Sequence, residues 1–317
     1  MQKRKCLVLG GAGFLGTHLC RMLCANHYEV LVYDRNITQI SWGKKENPKI
    51  DFINGNFSSE TDFFSLLNGI DIVFHLISTT NPSNQDLLFD FESNVLPTIR
   101  LLNACVGKKV RKVIYFSSGG TVYGIPQYIP IDECHFTEPI SSYGIHKLAV
   151  DKCLGYYGRT YGLNYNIIRI SNPYGENQNP ASKQGVIAVF LARILAKQSI
   201  EVWGDGNVIR DYIYIQDVMD ACIKLIEYRG KYKIFNIGSG KGYSLNELLH
   251  ILQRKVGRIF EVEYLKGRLQ DVPVNILDID LARKELGWSP KVDIETGIEK
   301  MITSWNPRDQ EFERNAE

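Results

Sequence analysis

Short apolar runs rich in β-branched residues recur through the first half of the chain: KCLVL from Lys5, then EVLVYD, KIDFIN, DIVFHL, KVIYFSS and YNIIRIS. The stretches between them have the spacing of crossover helices, and that alternation predicts a parallel, doubly wound sheet. The runs are nearly continuous in apolar residues, as expected of strands covered by helices on both faces. After about Ser171 the rhythm changes. The segment Asn172 to Ala181, rich in Asn, Pro and Gly, predicts a loop. Helices are expected over Gln184 to Lys197, Asp217 to Tyr228, Ser244 to Val256 and Asp280 to Leu286, with strands near Lys233 to Ile237 and Phe260 to Leu265. The polar residues Asn306 to Glu317 are expected to fray.

Bulk properties narrow the function classes. A chain of 317 residues has room for a large core and a second lobe. With 37 basic and 35 acidic residues, the net charge of +2 is too balanced to suggest nucleic acid or an anionic membrane as partner. Any anion must be held by local geometry. The seven cysteines are scattered and lack the paired spacing of zinc or redox motifs, so they read as reduced core thiols and no metal is expected. Lys3-Arg4-Lys5 before an apolar run imitates a secretion signal, but Gly10, Gly11, Gly13 and Gly16 interrupt it, and the run reads better as a strand entering a glycine turn. With no stretch approaching the ~18 apolar residues of a membrane helix, a cytoplasmic protein is expected.

The glycine turn carries the first chemistry. Gly10-Gly11-Ala12-Gly13-Phe14-Leu15-Gly16 follows the first strand and opens a helix over Phe14 to Ala25. Missing side chains let the backbone approach a pyrophosphate and aim helix N-terminal amides at its charge. Asp34 ends the second strand, near the roughly 20-residue offset at which a carboxylate meets ribose hydroxyls. A carboxylate there repels a 2′-phosphate, so NAD is favoured over NADP, with the neighbouring Arg35 as counter-evidence. The expected organisation is a Rossmann-type NAD-binding domain over residues 1–171, with 211–238 returning to it, and a smaller mixed α/β substrate-binding lobe over 172–317.

Tyr143-Gly144-Ile145-His146-Lys147 lies in a helical pattern from Ser141 to Tyr161, which makes Tyr143 and Lys147 neighbours one turn apart. A phenol titrates near 10 and is a poor base at neutral pH; an adjacent ammonium is expected to bring it toward the working range. The pair follows the fifth strand and its turn SSGGTVYG.

These motifs, with RISNPYG, WGDGNVIRDYIYIQDV, FNIGSGKGYS, GRLQDVP and LARKELGWSP, resemble along almost the whole chain the extended short-chain dehydrogenase/reductase family, and most closely its UDP-galactose 4-epimerase branch. The resemblance implies that Tyr143 is the base, that Lys147 orients the nicotinamide ribose, and that a hydroxyl of the fifth-strand motif shares the substrate's 4-OH. The family's third serine falls on Gly119, which has none, so the role passes to Ser118 or Thr121, with Thr121 favoured. The acidic pair of the related 4,6-dehydratases is replaced by Gly120 and Thr121, which argues against dehydration. The implied cofactor contacts further include Gly10, Gly13, Phe14, Leu15, Gly16, Asp34, Arg35, Asn56, Phe57, Leu76, Asn94 and Ser117. Asn56 stands where the family has an acid near adenine, and His75-Leu76-Ile77-Ser78 replaces a smaller turn.

For the nucleotide sugar, the resemblance places diphosphate and ribose contacts at Asn172, Arg210, Arg268 and Asp271, and the uracil edge near Gly185 and Val186. Arginine suits this work because its planar fork pairs with phosphate oxygens. Asn275 aligns with a position where a bulky tyrosine tends to exclude N-acetylated sugars, which implies access for UDP-N-acetylhexosamines. The implied reaction is NAD-dependent inversion at C4 through a 4-keto sugar, the rivals being another nucleotide-sugar oxidoreductase or decarboxylase and a non-catalytic dinucleotide sensor. A homodimer through the helices of Asn94 to Ala104 and Ala149 to Tyr157 is also implied.

Overall fold

In the computed structural model, which describes residues 4–37, 50–182, 184–267 and 272–305, the apolar runs of the first half become six strands. They are β1 (Lys5–Leu9), β2 (Glu29–Asp34), β3 (Ile50–Asn54), β4 (Ile72–His75), β5 (Lys112–Ser118) and β6 (Tyr165–Ile170). Helices α1 (Phe14–Ala25), α2 (Phe63–Leu66), α3 (Leu87–Asp90), α4 (Leu96–Gly107) and α5 (Ser142–Tyr161) connect them. The second half supplies β7 (Asn172–Tyr174), α6 (Val186–Leu195), β8 (Ile200–Trp203), β9 (Ile209–Tyr214), α7 (Ile215–Glu227) and β10 (Ile234–Ile237). It ends with β11 (Gly242–Ser244), α8 (Leu245–Val256), β12 (Val262–Leu265), β13 (Val274–Asn275), α9 (Asp280–Leu286) and α10 (Ile294–Ser304).

The main sheet is parallel, in the order β10-β6-β5-β4-β1-β2-β3. Alternate residues serve opposite faces: Cys6 and Val8 enter one core with α1 and α7, while Leu7 and Leu9 enter the other with α4 and α5. The chain reverses direction across the sheet between β1 and β4, which opens a crevice at their carboxyl ends, the place where doubly wound sheets hold ligands. Both the glycine turn after β1 and the Ser78 turn after β4 sit there. The strand expected near Lys233 is β10, and it extends this sheet beside β6. No helix among the described residues is long and apolar enough to cross a membrane. Leu96 on α4 and Tyr156 and Tyr161 on α5 leave apolar surface exposed.

The structure corrects several expectations. Asn172 to Ala181 is not all loop: Asn172–Tyr174 forms β7, parallel to β9, with the Asn172 side chain donating to the Asp211 carbonyl at 2.9 Å and Tyr174 buried. Pro173 made the segment read as a turn, yet only its own N–H is missing from the ladder. The helix expected from Gln184 starts at Val186, because Gly185 precedes it with a left-handed φ of +80°. Strands β8 and β9 and helix α10 were not anticipated. Asn94 begins no α-helix; it lies in a wider π-turn, Phe91–Val95, between α3 and α4.

Beneath β5 and β6, Arg169 crosses the sheet to α5. Its Nε and Nη2 each lie 3.1 Å from Asp151 Oδ2, and its guanidinium stacks 4.8 Å from the centroid of Tyr123. Both charges are buried, so removing one leaves the other unpaired. Arg169→Met is expected to lower unfolding free energy by roughly 3–5 kcal/mol in urea titration, more than Arg193→Met at the exposed Arg193–Glu201 pair; equal small losses would contradict this.

Candidate active site

The turn after β1 is built by close backbone approach. Gly10 has φ +86°, and its N–H donates to the Tyr33 carbonyl at 2.9 Å. A Cβ on Gly16 would stand 2.1 Å from the Gly10 carbonyl oxygen, so only glycine lets α1 begin so near the strand. Gly13 caps α1 without a side-chain hydrogen bond, and the first turn, which includes Phe14 and Leu15, carries no acid. The positive end of the helix dipole therefore faces the crevice without a built-in anion. Asp34 Oδ2 accepts from the Ala12 N–H at 3.0 Å and Oδ1 from Asn36 N–H at 3.0 Å, so the carboxylate expected to meet the ribose braces the glycine turn. This arrangement fits a dinucleotide.

The other expected cofactor residues are more varied. Arg35 is exposed, and its carbonyl accepts from Asn54. Asn56 borders a cleft of about 460 Å³ with Tyr33, Ile53 and Thr61, and its carbonyl takes hydrogen bonds from Tyr33 and Thr61. Phe57 turns inward, its ring 5.0 Å from His75 and 5.5 Å from Phe63. Leu76 N–H donates to the Leu9 carbonyl, and Ile77 packs where a Gly10 side chain would have been. The Asn94 amide is engaged by the loop after β4: Oδ1 accepts from Thr79 N–H at 2.9 Å, and Nδ2 donates to Thr79 Oγ1 at 2.8 Å. Ser117 is buried beside Asp151.

Tyr143 and Lys147 are brought to the end of β5 by two local devices. Ser141 caps α5, its hydroxyl accepting from Gly144 N–H at 3.1 Å. Gly144 lacks a Cβ that would meet the Thr121 carbonyl and Pro139 at 2.8 Å, so the helix can press against the strand-end turn. Lys147 Nζ donates to the Phe116 carbonyl at 2.9 Å and lies 5.0 Å from the Tyr115 ring centroid and 5.6 Å from that of Tyr143. Burial pushes the Lys147 ammonium down to about 8, with Asp151 opposing. Burial pushes the Tyr143 phenol up to about 12; the neighbouring Ser78 side chain opposes the rise and the Asp90 carboxylate adds to it. This corrects the expectation that Lys147 by itself lowers the phenol: in the protein alone, desolvation wins.

The hydroxyl question acquires geometry. A Cβ at Gly119 would meet the Leu277 side chain at 2.6 Å, so a serine there would require Leu277 to move. Among the described residues, Thr121 Oγ1 is buried without a hydrogen-bond partner, whereas Ser118 lies at the end of β5 with its carbonyl taken by Val122 N–H. Asn275 is fully enclosed and donates to the Gly119 carbonyl at 3.0 Å, which ties β13 to this turn.

One residue beyond β6 and Ser171, a cleft of about 820 Å³ opens between β7, α6, β8 and β9. It brings together Asn172, Gly185, Val186 and Arg210 from three separate elements. Arg210 Nη1 donates to the Ile209 and Val272 carbonyls, which fixes the guanidinium stem at the wall. Arg268 and Asp271 lie outside the described residues. Asn275 is not part of this lining. Sequence reasoning missed Ser78, which the HLIS departure marked without assigning a role, and Asp90 and His146, which had no signal. Among the described residues, no cluster of His, Cys, Asp and Glu is arranged to hold a metal.

Residues 6–238 match the NAD dependent epimerase/dehydratase family. A putative UDP-glucose 4-epimerase of Methanocaldococcus jannaschii is 38% identical over 305 residues, covering 94% of this chain and 97% of that protein. The crystal structure of UDP-glucose 4-epimerase from Thermotoga maritima, with UDP-glucose, superposes with a TM-score of 0.88 at 33% identity, covering 99% of this chain and 100% of that one. UDP-N-acetylglucosamine 4-epimerase from Methanobrevibacter ruminantium has a TM-score of 0.87 at 26% identity, covering 96% and 99%. With its parallel sheet, glycine turn and near full-length likeness, the chain belongs to the NAD-dependent epimerase/dehydratase family, and NAD is its cofactor.

Proposed function

We propose that the protein interconverts C4 epimers of a UDP-hexose or UDP-N-acetylhexosamine through a transient 4-keto sugar. One observation carries the reading. The desolvated Tyr143–Lys147 pair and the unpartnered Thr121 hydroxyl meet at the end of β5, and the cleft with Asn172 and Arg210 opens just past the adjacent end of β6. When bound, NAD supplies a reversible two-electron acceptor at the sugar's C4 and, in its oxidised state, a positive charge.

The turn from Gly10 to Gly16 and Asp34 would hold that cofactor. Tyr143 takes the 4-OH proton and later returns it, and Thr121 steadies the same oxygen through the hydroxyl that has no partner among the described residues. Lys147, fastened to the Phe116 carbonyl, keeps a cation beside the phenol ring, and the ionised form would be favoured once the cofactor's positive charge joins it. Arg210 and Asn172 anchor the diphosphate, with Arg268 and Asp271 proposed as further contacts. Firm binding at the nucleotide with a loosely held ring lets the 4-keto sugar present its other face, so affinity remote from C4 serves the reaction. Asn275 supports acceptance of N-acetyl sugars, because a small amide folded back on Gly119 projects no ring toward the sugar.

Purified protein given UDP-glucose, UDP-galactose and their N-acetyl counterparts, without added cofactor, is expected to yield product of opposite C4 configuration in both series. Stoichiometric release of NADH or carbon dioxide would contradict epimerisation, and conversion of UDP-galactose with none of UDP-N-acetylgalactosamine would contradict the N-acetyl assignment. Tyr143→Phe and Lys147→Met are each expected to lower kcat by roughly 10²–10⁴-fold with little change in KM. Thr121→Ala should cause a large loss that Ser118→Ala does not; the reverse pattern would move the role to Ser118.

A further inference from the structure

Asp90 is an ionisable side chain with no solvent exposure at all, in a part of the fold that the proposed chemistry does not use. It closes α3, at the mouth of the π-turn Phe91–Val95. Its oxygens gather partners from two other segments. From the loop after β4, Thr80 Oγ1 donates to Oδ1 and Asn84 Nδ2 donates to Oδ2 at 2.9 Å. From α5, Ser142 Oγ donates to Oδ2, and His146 Nδ1 lies 3.2 Å from Oδ1.

The spacing of the α5 partners carries the inference. Ser142 and His146 are four apart and form one row on the helix; Tyr143 and Lys147 are four apart and form the next row round. A carboxylate that grips the first row sets the rotation of the second. The His146 ring also stands edge-on to Tyr143, centroids 5.0 Å apart and planes at 79°. The other side of the grip acts on the same phenol. Ser78, whose side chain neighbours the Tyr143 phenol, belongs to the loop that Thr79 and Thr80 fasten to Asn94 and Asp90. The wider π-turn aims both Asn94 and Asp90 at that loop.

Charge agrees with geometry. Burial raises the Asp90 carboxyl, but hydrogen bonds from Ser142, Thr80 and Asn84 and the neighbouring His146 outweigh it and leave the group below the usual carboxylate range. Burial and then Lys147 push His146 down to about 4, against Asp90. At neutral pH the contact is therefore a carboxylate 3.2 Å from a neutral imidazole, close packing between two groups that cannot relax into water.

We infer that Asp90 is a positioning residue for the proposed reaction: through Ser142 and His146 it sets the rotation of α5, through Thr80 it holds the loop bearing Ser78, and the two together place the Tyr143 hydroxyl. This rests on the C4 chemistry proposed above. The nucleotide cleft lies on other elements, so loss of the grip is felt in turnover and not in binding.

The test uses the full-length protein with NAD, as wild type, Asp90→Asn, Ser142→Ala and the double variant. Asp90→Asn is expected to lower kcat by about 30–100-fold, the scale of a small misplacement of a reacting group, with KM for the UDP-sugar changed less than about threefold. Ser142→Ala is expected to lose about tenfold, and the double variant to be no worse than Asp90→Asn alone, since coupled residues are not additive. Fluorotyrosine incorporated at position 143 gives a readout independent of turnover: its fluorine resonance should shift or broaden in Asp90→Asn. Should Asp90→Asn fail to fold, Ser142→Ala and His146→Ser carry both measurements. A folded Asp90→Asn with kcat within twofold of wild type, or with an unchanged fluorine resonance, overturns the proposal. Wild type that turns over no UDP-sugar overturns the functional reading instead and leaves the fluorine result to decide this one.

Discussion

The hydrogen bond from Lys147 to the Phe116 carbonyl is the constraint on which the site depends. It fastens the middle of α5's first two turns to β5, one residue short of the strand's polar end, and Gly144 lets the helix close the remaining distance to Thr121. The bond has an energetic cost. An ammonium taken out of water favours its neutral form, and Lys147 accordingly titrates near 8 instead of near 10.4. Between those two pH values the unfolded chain binds a proton that the folded one does not, so this residue's contribution to stability rises with pH through that window and is at its lowest below about 8. The fold thus keeps a cation in a desolvated place, a common signature of chemistry.

The phenol above it is held in the opposite imbalance. Burial keeps Tyr143 protonated to about 12, so the protein alone does not hold an activated base. The ionised form is favoured only when further positive charge enters the same desolvated space. On the proposed function, the nicotinamide of oxidised NAD would supply such a charge next to Tyr143. Residues from the second half of the chain pack against the turn after β5. Asn275 on β13 donates to the Gly119 carbonyl, Leu277 occupies the room a residue-119 side chain would need, and Asp211 on β9 accepts from Ser239, Gly240 and Leu277 N–H groups.

What was legible in the sequence follows from the range of the interactions. The glycine turn, the i,i+4 pair and the parallel strands are local patterns, and they appear where they were expected. The π-turn and the hydrogen bonds of Asp90 were not legible, because Ser142 and Asp90 are 52 residues apart and no periodicity relates them. The same holds for Asn275 and Gly119, 156 residues apart. The segment beginning at Asn172 misled because Asn and Pro are turn residues by composition, whereas its pairing with β9 is decided by tertiary contact. The expectation that an ammonium one turn away suffices to lower a phenol failed for a physical reason: residue spacing reports proximity but not desolvation, and desolvation is the larger effect here.

The central claim, a phenol kept neutral by the fold and ionised only in the company of the cofactor's charge, is tested most directly by titrating tyrosinate absorbance of wild type minus that of Tyr143→Phe, with bound nucleotide removed and again with oxidised NAD restored. The account predicts a Tyr143 component near 12 without NAD and a component well below the ordinary tyrosine range with it. The same transition in both states would contradict it.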